Sequence, residues 1–178
     1  MEFNFILERK FDLGQKEINE LVLYTSLAFI FPLIFGHLAG LAAQIFIGAT
    51  VNFFLVLSAF YVSGWKNIFV VVIPSMAAYF SGIVFGASSA FLLYFIPAIW
   101  IGNAIFVYFI KKSMAGNTAY GVLKSSILKA GFLFTTAIFF VYSGIVPQMF
   151  LVAMGPVQLA TALLGGFFGL VFHSIRKR

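Results

Sequence analysis

Seven side chains of this chain are candidate contacts for a small molecule: His37, Gln44, Tyr94, Trp100, Asn103, Gln148 and Gln158. They offer an imidazole, four amides, a phenol and an indole. Such groups recognise by neutral hydrogen bonds and aromatic faces rather than by charge. The acid–base partners of catalysis are missing. All five carboxylates, Glu2, Glu8, Asp12, Glu17 and Glu20, lie in the first twenty residues, and from Leu21 to Arg178 there is none. There is no cysteine and no nucleotide-binding glycine loop, G-x-S-x-G or metal-ligand spacing,. These residues predict a protein that is not an enzyme, with no cofactor and no metal. Without a phosphate loop it cannot by itself couple ATP hydrolysis to anything.

Each polar residue has two readings. Gly40, Gln44, Gly48 and Asn52 recur every four residues, which puts small and amide groups on one drifting stripe of a helix. Gly48 and Asn52 there suit a close helix–helix contact, while Gln44 is equally suited to a ligand. His37, between Gly36 and Gly40, reads as a solvated loop residue or as a hydrogen-bonding lid over a pocket. Tyr94, Pro97 and Trp100 lie about a turn apart and suit one wall of an aromatic pocket, while Trp100 suits core packing equally, and its N–H needs a partner either way. Thr161, Gly165 and Gly169 make a small-residue packing face. Pro156 after Gly155 marks a bent or broken helix near Gln148, Met149 and Gln158. Lys129 reads as a base snorkelling to the headgroups, or else as an anion contact. His173 reads as part of a basic anchor with Arg176, Lys177 and Arg178.

The elements that position these residues follow from composition. Of 178 residues 62% are hydrophobic and only 9% charged, with a mean hydropathy of +1.07. An ordinary soluble domain carries about 25% charged residues, so a soluble, disordered or nucleic-acid-binding chain is excluded despite the net charge of +6. A bilayer core of about 30 Å needs roughly 20 apolar residues per helix. Six segments qualify: 21–35, 41–62, 68–84, 91–110, 130–146 and 148–172, with Pro32, Pro74, Pro97 and Pro156 inside four of them. Without period-2 alternation they read as helices, not barrel strands. The prediction is an all-α integral membrane protein of six transmembrane helices. Residues 1–20 form a cytosolic or interfacial segment, 21–172 the transmembrane domain and 173–178 a basic tail. The first segment reads either as a short helix on the membrane surface or as a frayed tail.

With both termini cytoplasmic, the inner segments 1–20, 63–67, 111–129 and 173–178 hold all eleven bases and the outer loops hold none, as the positive-inside rule requires. Tyr61, Trp65, Tyr108 and Tyr120 flank the inner face as an aromatic belt.

Six helices in under 180 residues resemble the substrate-binding S components of energy-coupling factor (ECF) transporters of prokaryotes. The resemblance rests on "GHLAGLAAQIFIGATVN" (36–52), "IPSMAAYFSGIVFG" (73–86), "FIPAIWIGNAIFVY" (95–108) and "GPVQLATALLGG" (155–166). It implies capture of a vitamin-like micronutrient near the outer face of the plasma membrane. The ligand would sit under the loop joining helices one and two, among the outer parts of helices four to six. It also implies association with a transmembrane coupling subunit and cytosolic ATPases. Many S components dock that subunit through an alanine-x-x-x-alanine series on helix one. Here Ala28, Pro32 and Gly36 stand at the corresponding spacing.

The leading expectation is therefore an S component-like bundle that binds a neutral, aromatic or anionic small molecule. The alternatives are a self-sufficient small channel or facilitator, which needs a continuous polar path, and a structural subunit of a membrane complex.

Overall fold

The computed structural model describes the backbone of residues 2–35, 40–82 and 84–178, with side chains from Gly14 onward. The described residues form helices α1 (Glu2–Phe35), α2 (Leu41–Tyr61), α3 (Ile68–Ser81), α4 (Leu92–Ser113), α5 (Thr118–Tyr142), α6 (Met149–Met154) and α7 (Pro156–Arg176). Two 3₁₀ turns, Gly64–Asn67 and Gly86–Phe91, lead into α3 and α4.

Among the described residues five helical segments are long and apolar enough to cross a membrane: Gly14–Phe35, Leu41–Tyr61, Gly86–Ser113, Thr118–Tyr142 and Met149–Arg176. Val22, Ile34, Phe80, Phe139, Phe167 and Phe168 all stand exposed on the outside of the bundle. A surface this apolar suits lipid and not water. The chain is a multi-pass helical membrane protein. The segment expected at 68–84 forms a helix of only 14 residues, too short to count by length alone. Gly82 ends it, in the left-handed region at φ 65° with its N–H on the Tyr79 carbonyl, a glycine stop.

Two other boundaries differ from expectation. α1 is continuous across residue 20, since no helix breaker separates Gly14 from Pro32. More consequentially, α5 begins at Thr118 and not near 130. Asn117 caps it by accepting a hydrogen bond from the Tyr120 N–H at 3.0 Å,. Ser125 and Ser126 turn their hydroxyls back onto the Val122 carbonyl, so they interrupt neither the helix nor its packing. The inner loop expected at 111–129 shrinks to 114–117, and Lys124 and Lys129 ride on the helix. At its other end α5 closes with Gly144 N–H on Val141 and Ile145 N–H on Phe140, the paired bonds of a Schellman stop.

The expected break at Gly155 is present. It has φ −103° and ψ −97°, and Pro156 opens α7 as its first residue, where a missing N–H is harmless. A Cβ on Gly155 would meet Phe134 Cδ2 at 2.6 Å.

Neighbouring helices close a ring in the order α1, α3, α4, α5, α7, α2, with α2 and α4 also touching across the middle. The contact between α2 and α7 is the most extensive. It is close because Gly48, Gly165 and Gly169 leave room. A Cβ at Gly48 would lie 2.8 Å from Thr161 Cγ2, and one at Gly165 would lie 2.7 Å from Asn52 Cβ. In lipid such fitted contact, rather than water exclusion, holds helices together. Two buried clusters fill the ring. One gathers Tyr24, Phe54, Leu55 and Phe106; the other gathers Phe95, Leu133 and Phe150, with the Phe95 and Phe150 rings stacked at 5.0 Å.

Candidate functional site

The two ends of the bundle differ in chemistry. One end is charged. Glu17 accepts from the Ser63 N–H and hydroxyl at 2.7 Å and pairs with Lys66 at 3.2 Å. Glu20 pairs with Arg176 and with the Tyr24 hydroxyl. The Lys111 ammonium donates to the Val62 carbonyl at 2.8 Å. His173 stacks on Phe60 at 3.7 Å and shares a hydrogen bond with the Tyr61 hydroxyl at 2.9 Å. The basic anchor expected of His173 and its neighbours is thus a knitted cluster joining α1, α2, α4 and α7.

The opposite end holds a cavity of about 100 Å³. Most of its wall is apolar, from Pro32 on α1 through Pro74 and Ala78 on α3 to Met154 and Val157 at the α6–α7 break. Its polar lining is Gln44, Ser75, Gln158 and Thr161. The Gln44 amide donates to the Val84 carbonyl at 3.4 Å. Ser75 donates to the Val72 carbonyl and accepts from the Trp100 indole, each at 2.9 Å. Thr161 donates to the Gln158 carbonyl at 3.1 Å and accepts from the Asn52 amide at 3.2 Å. A small molecule held here meets a mostly apolar wall with a few oriented polar groups, the usual composition of a small-molecule site.

The expected binding residues divide accordingly. Gln44 and Gln158 line the cavity. Trp100 stands one hydrogen bond behind it, through Ser75. Asn103 is buried, and its amide ties α4 to the Val71 carbonyl on α3 at 2.9 Å. Tyr94 is 53% exposed and packs edge-on to Phe140. Tyr94 and Pro97 both face outward, so the wall expected from Tyr94, Pro97 and Trp100 does not face the cavity, and Leu92 and Ile99 take that place. Gln148 is exposed in the turn before α6. His37 and Gly36 lie outside the described residues. Of the expected docking residues, Ala28 is fully buried in the core and Pro32 lines the cavity, so neither is presented on the outside of the bundle.

Ser75 and Thr161 were not expected as lining residues. Thr161 sits on the packing face read from its spacing with Gly165, and that face also forms the cavity floor.

Lys129 reverses its expected role. It does not snorkel. It is only 2% exposed, and its ammonium donates to Asn52 Oδ1 at 2.5 Å and lies 5.3 Å from the Phe106 ring centre. Thr118 to Lys129 is about 16 Å of helix, which places the charge near mid-span. Its stem runs beside Gly102, where a Cβ would meet Lys129 Cγ at 3.5 Å, an ordinary contact.

Among the described residues no three His, Asp or Glu side chains come together as metal ligands. In comparison with known proteins, no family model, curated protein or solved structure matches this chain.

Proposed function

We propose that this protein is the substrate-capture membrane subunit of an ECF-type importer, taking up a vitamin-like micronutrient across a prokaryotic plasma membrane. On this reading the charged end faces the cytoplasm with both termini. The 3₁₀ turn Gly64–Asn67 and α3 together span about 29 Å and supply the sixth crossing. A transmembrane coupling subunit and cytosolic ATPases would supply the energy that this chain has no motif to harvest.

The observation that carries the proposal is the cavity itself. It is lined from α1, α2, α3, α4, α6 and α7 at the end away from the charges, and Thr161, Asn52 and Lys129 fill the bundle beneath it. A blind pocket suits capture better than free passage, which disfavours the channel alternative. A bundle built only for assembly needs no pocket.

Native mass spectrometry of the detergent-purified protein tests the proposal, paired with thermal shift across a panel of vitamins and nucleobases. A co-purifying small molecule, or a ligand that raises the melting temperature and loses that effect in Gln44→Leu or Gln158→Leu, is the expected result. No retained molecule and no shift from any member would overturn it. Solute flux through liposomes holding this chain alone would favour the facilitator instead.

A further inference from the structure

Among the described residues no carboxylate pairs with the buried Lys129 amine. No carboxylate side chain follows Glu20, and Glu17 and Glu20 are engaged at the charged end of the bundle. An ammonium has three N–H donors. Among the described residues, Asn52 Oδ1 is the one hydrogen-bond acceptor given to it. Burying such a group uncompensated is costly in a membrane interior, and intramembrane charges mark ligand and ion sites.

The position of Lys129 shows where compensation could come from. Asn52, itself buried, donates its amide to the Gly48 carbonyl at 2.9 Å and to Thr161 Oγ1 at 3.2 Å. Gly48 and Thr161 both line the cavity floor. A continuous hydrogen-bonded chain therefore runs from the Lys129 ammonium through Asn52 to Thr161, and on to the carbonyl of Gln158 in the cavity wall. Its elements come from α5, α2 and α7, so the charge sits below the cavity and separated from it by one amide.

We propose that the cavity selects a small organic anion, a carboxylate or phosphate ester, whose charge is balanced by Lys129 beneath the floor, with Asn52 and Thr161 relaying the interaction. This rests on the capture reading above and narrows its substrate class. Most of the wall is apolar, so the ligand would turn an apolar body to Pro32, Pro74, Ala78 and Met154 and its acidic group to Thr161, whose hydroxyl would turn from the Gln158 carbonyl to donate to it. Lys129 does not touch the ligand; it is a positioning residue that acts through the field and through Asn52.

Matched acid and amide probes of single-ring size test this on the full-length protein: nicotinate against nicotinamide and benzoate against benzamide. The expected result is that at least one acid binds better than its neutral partner by roughly tenfold or more. Lys129→Gln should erase that ratio. Because a buried lysine variant can fail to fold, Asn52→Asp is the second variant. It places a carboxyl group beside Lys129 as an internal partner and should likewise cancel the preference for acids. Neutral probes binding as well as acids, or an acid preference that survives Asn52→Asp, would overturn the anion inference and leave the capture reading standing. No probe binding in either series, together with the failed vitamin panel, would remove both.

Discussion

The Trp100 indole N–H donates to Ser75 Oγ at 2.9 Å, and Ser75 is part of the cavity wall. One hydrogen bond thus joins α4 to α3 and fixes the rotamer of a lining hydroxyl that also donates to Val72. Trp100→Phe keeps most of the ring and removes the donor. Interhelical hydrogen bonds in membranes contribute about 0.6–1.7 kcal/mol, and a loss of that size is expected in detergent unfolding. A Trp100→Phe protein as stable as the parent would show that the indole only packs.

The α2–α7 seam predicts a sharp contrast between two glycines. A Cβ at Gly165 would press on Asn52 Cβ and Phe53 N, each at 2.7 Å, whereas at Gly131 nothing lies within 4 Å. Gly165→Ala should cost about 1–3 kcal/mol through overpacking. Gly131→Ala should be neutral or stabilising by up to about 1 kcal/mol through helix propensity. Thermal melts of the two variants side by side check this, and equal effects would contradict the close seam.

Lysine reactivity separates the buried charge from the surface ones. Lys124 is exposed on α5, and Lys129 is sealed between α2, α4 and α5. An amine-reactive ester added to the folded protein should modify Lys124 and spare Lys129 until denaturant is added. Peptide mass spectrometry reads both sites, and prompt modification of Lys129 would restore the snorkelling picture.

At the charged end, Glu20 meets Arg176, and Arg176 also lies over the Tyr61 ring at 4.3 Å. Both partners are partly reachable by solvent, so their worth is limited. A double-mutant cycle of Glu20→Gln and Arg176→Gln should give a coupling of about 0.2–1 kcal/mol that shrinks with added salt. A coupling well above that range would mean the pair is sealed from water.

Composition and hydropathy already carried the fold class, because so few charges point to lipid, where only helices or a closed barrel satisfy the backbone, and the long runs lack a barrel's alternation. The Gly155–Pro156 break and the glycine seam were legible too, since those residues act through their own backbones and sizes. The start of α5 was not. Lys124 and Lys129 looked like loop residues because a charge in an apolar run is usually a boundary, and only the packed bundle shows that Asn52 and Phe106 receive Lys129. Tyr94 and Trp100 share a helix and near-equal spacing, yet one faces outward and the other inward. Residues three to six apart do not settle which face meets a neighbour when the whole helix is apolar. Asn103 was visible as a polar residue in a span, but whether it greets a ligand or a carbonyl depends on the partner helix.

The interruption at Gly155 divides the final crossing into a short piece and a long one. Met154 on the short piece and Val157 on the long one are both part of the cavity wall. The long piece is pinned to α2 at Gly165 and Gly169, where a Cβ on Gly169 would stand 2.5 Å from Val56 Cγ1. Pro156 contributes no N–H to bind the two pieces. Any tilt of α6 about that joint would therefore reshape the Met154 side of the cavity while Val157 and the α2–α7 seam stay in place.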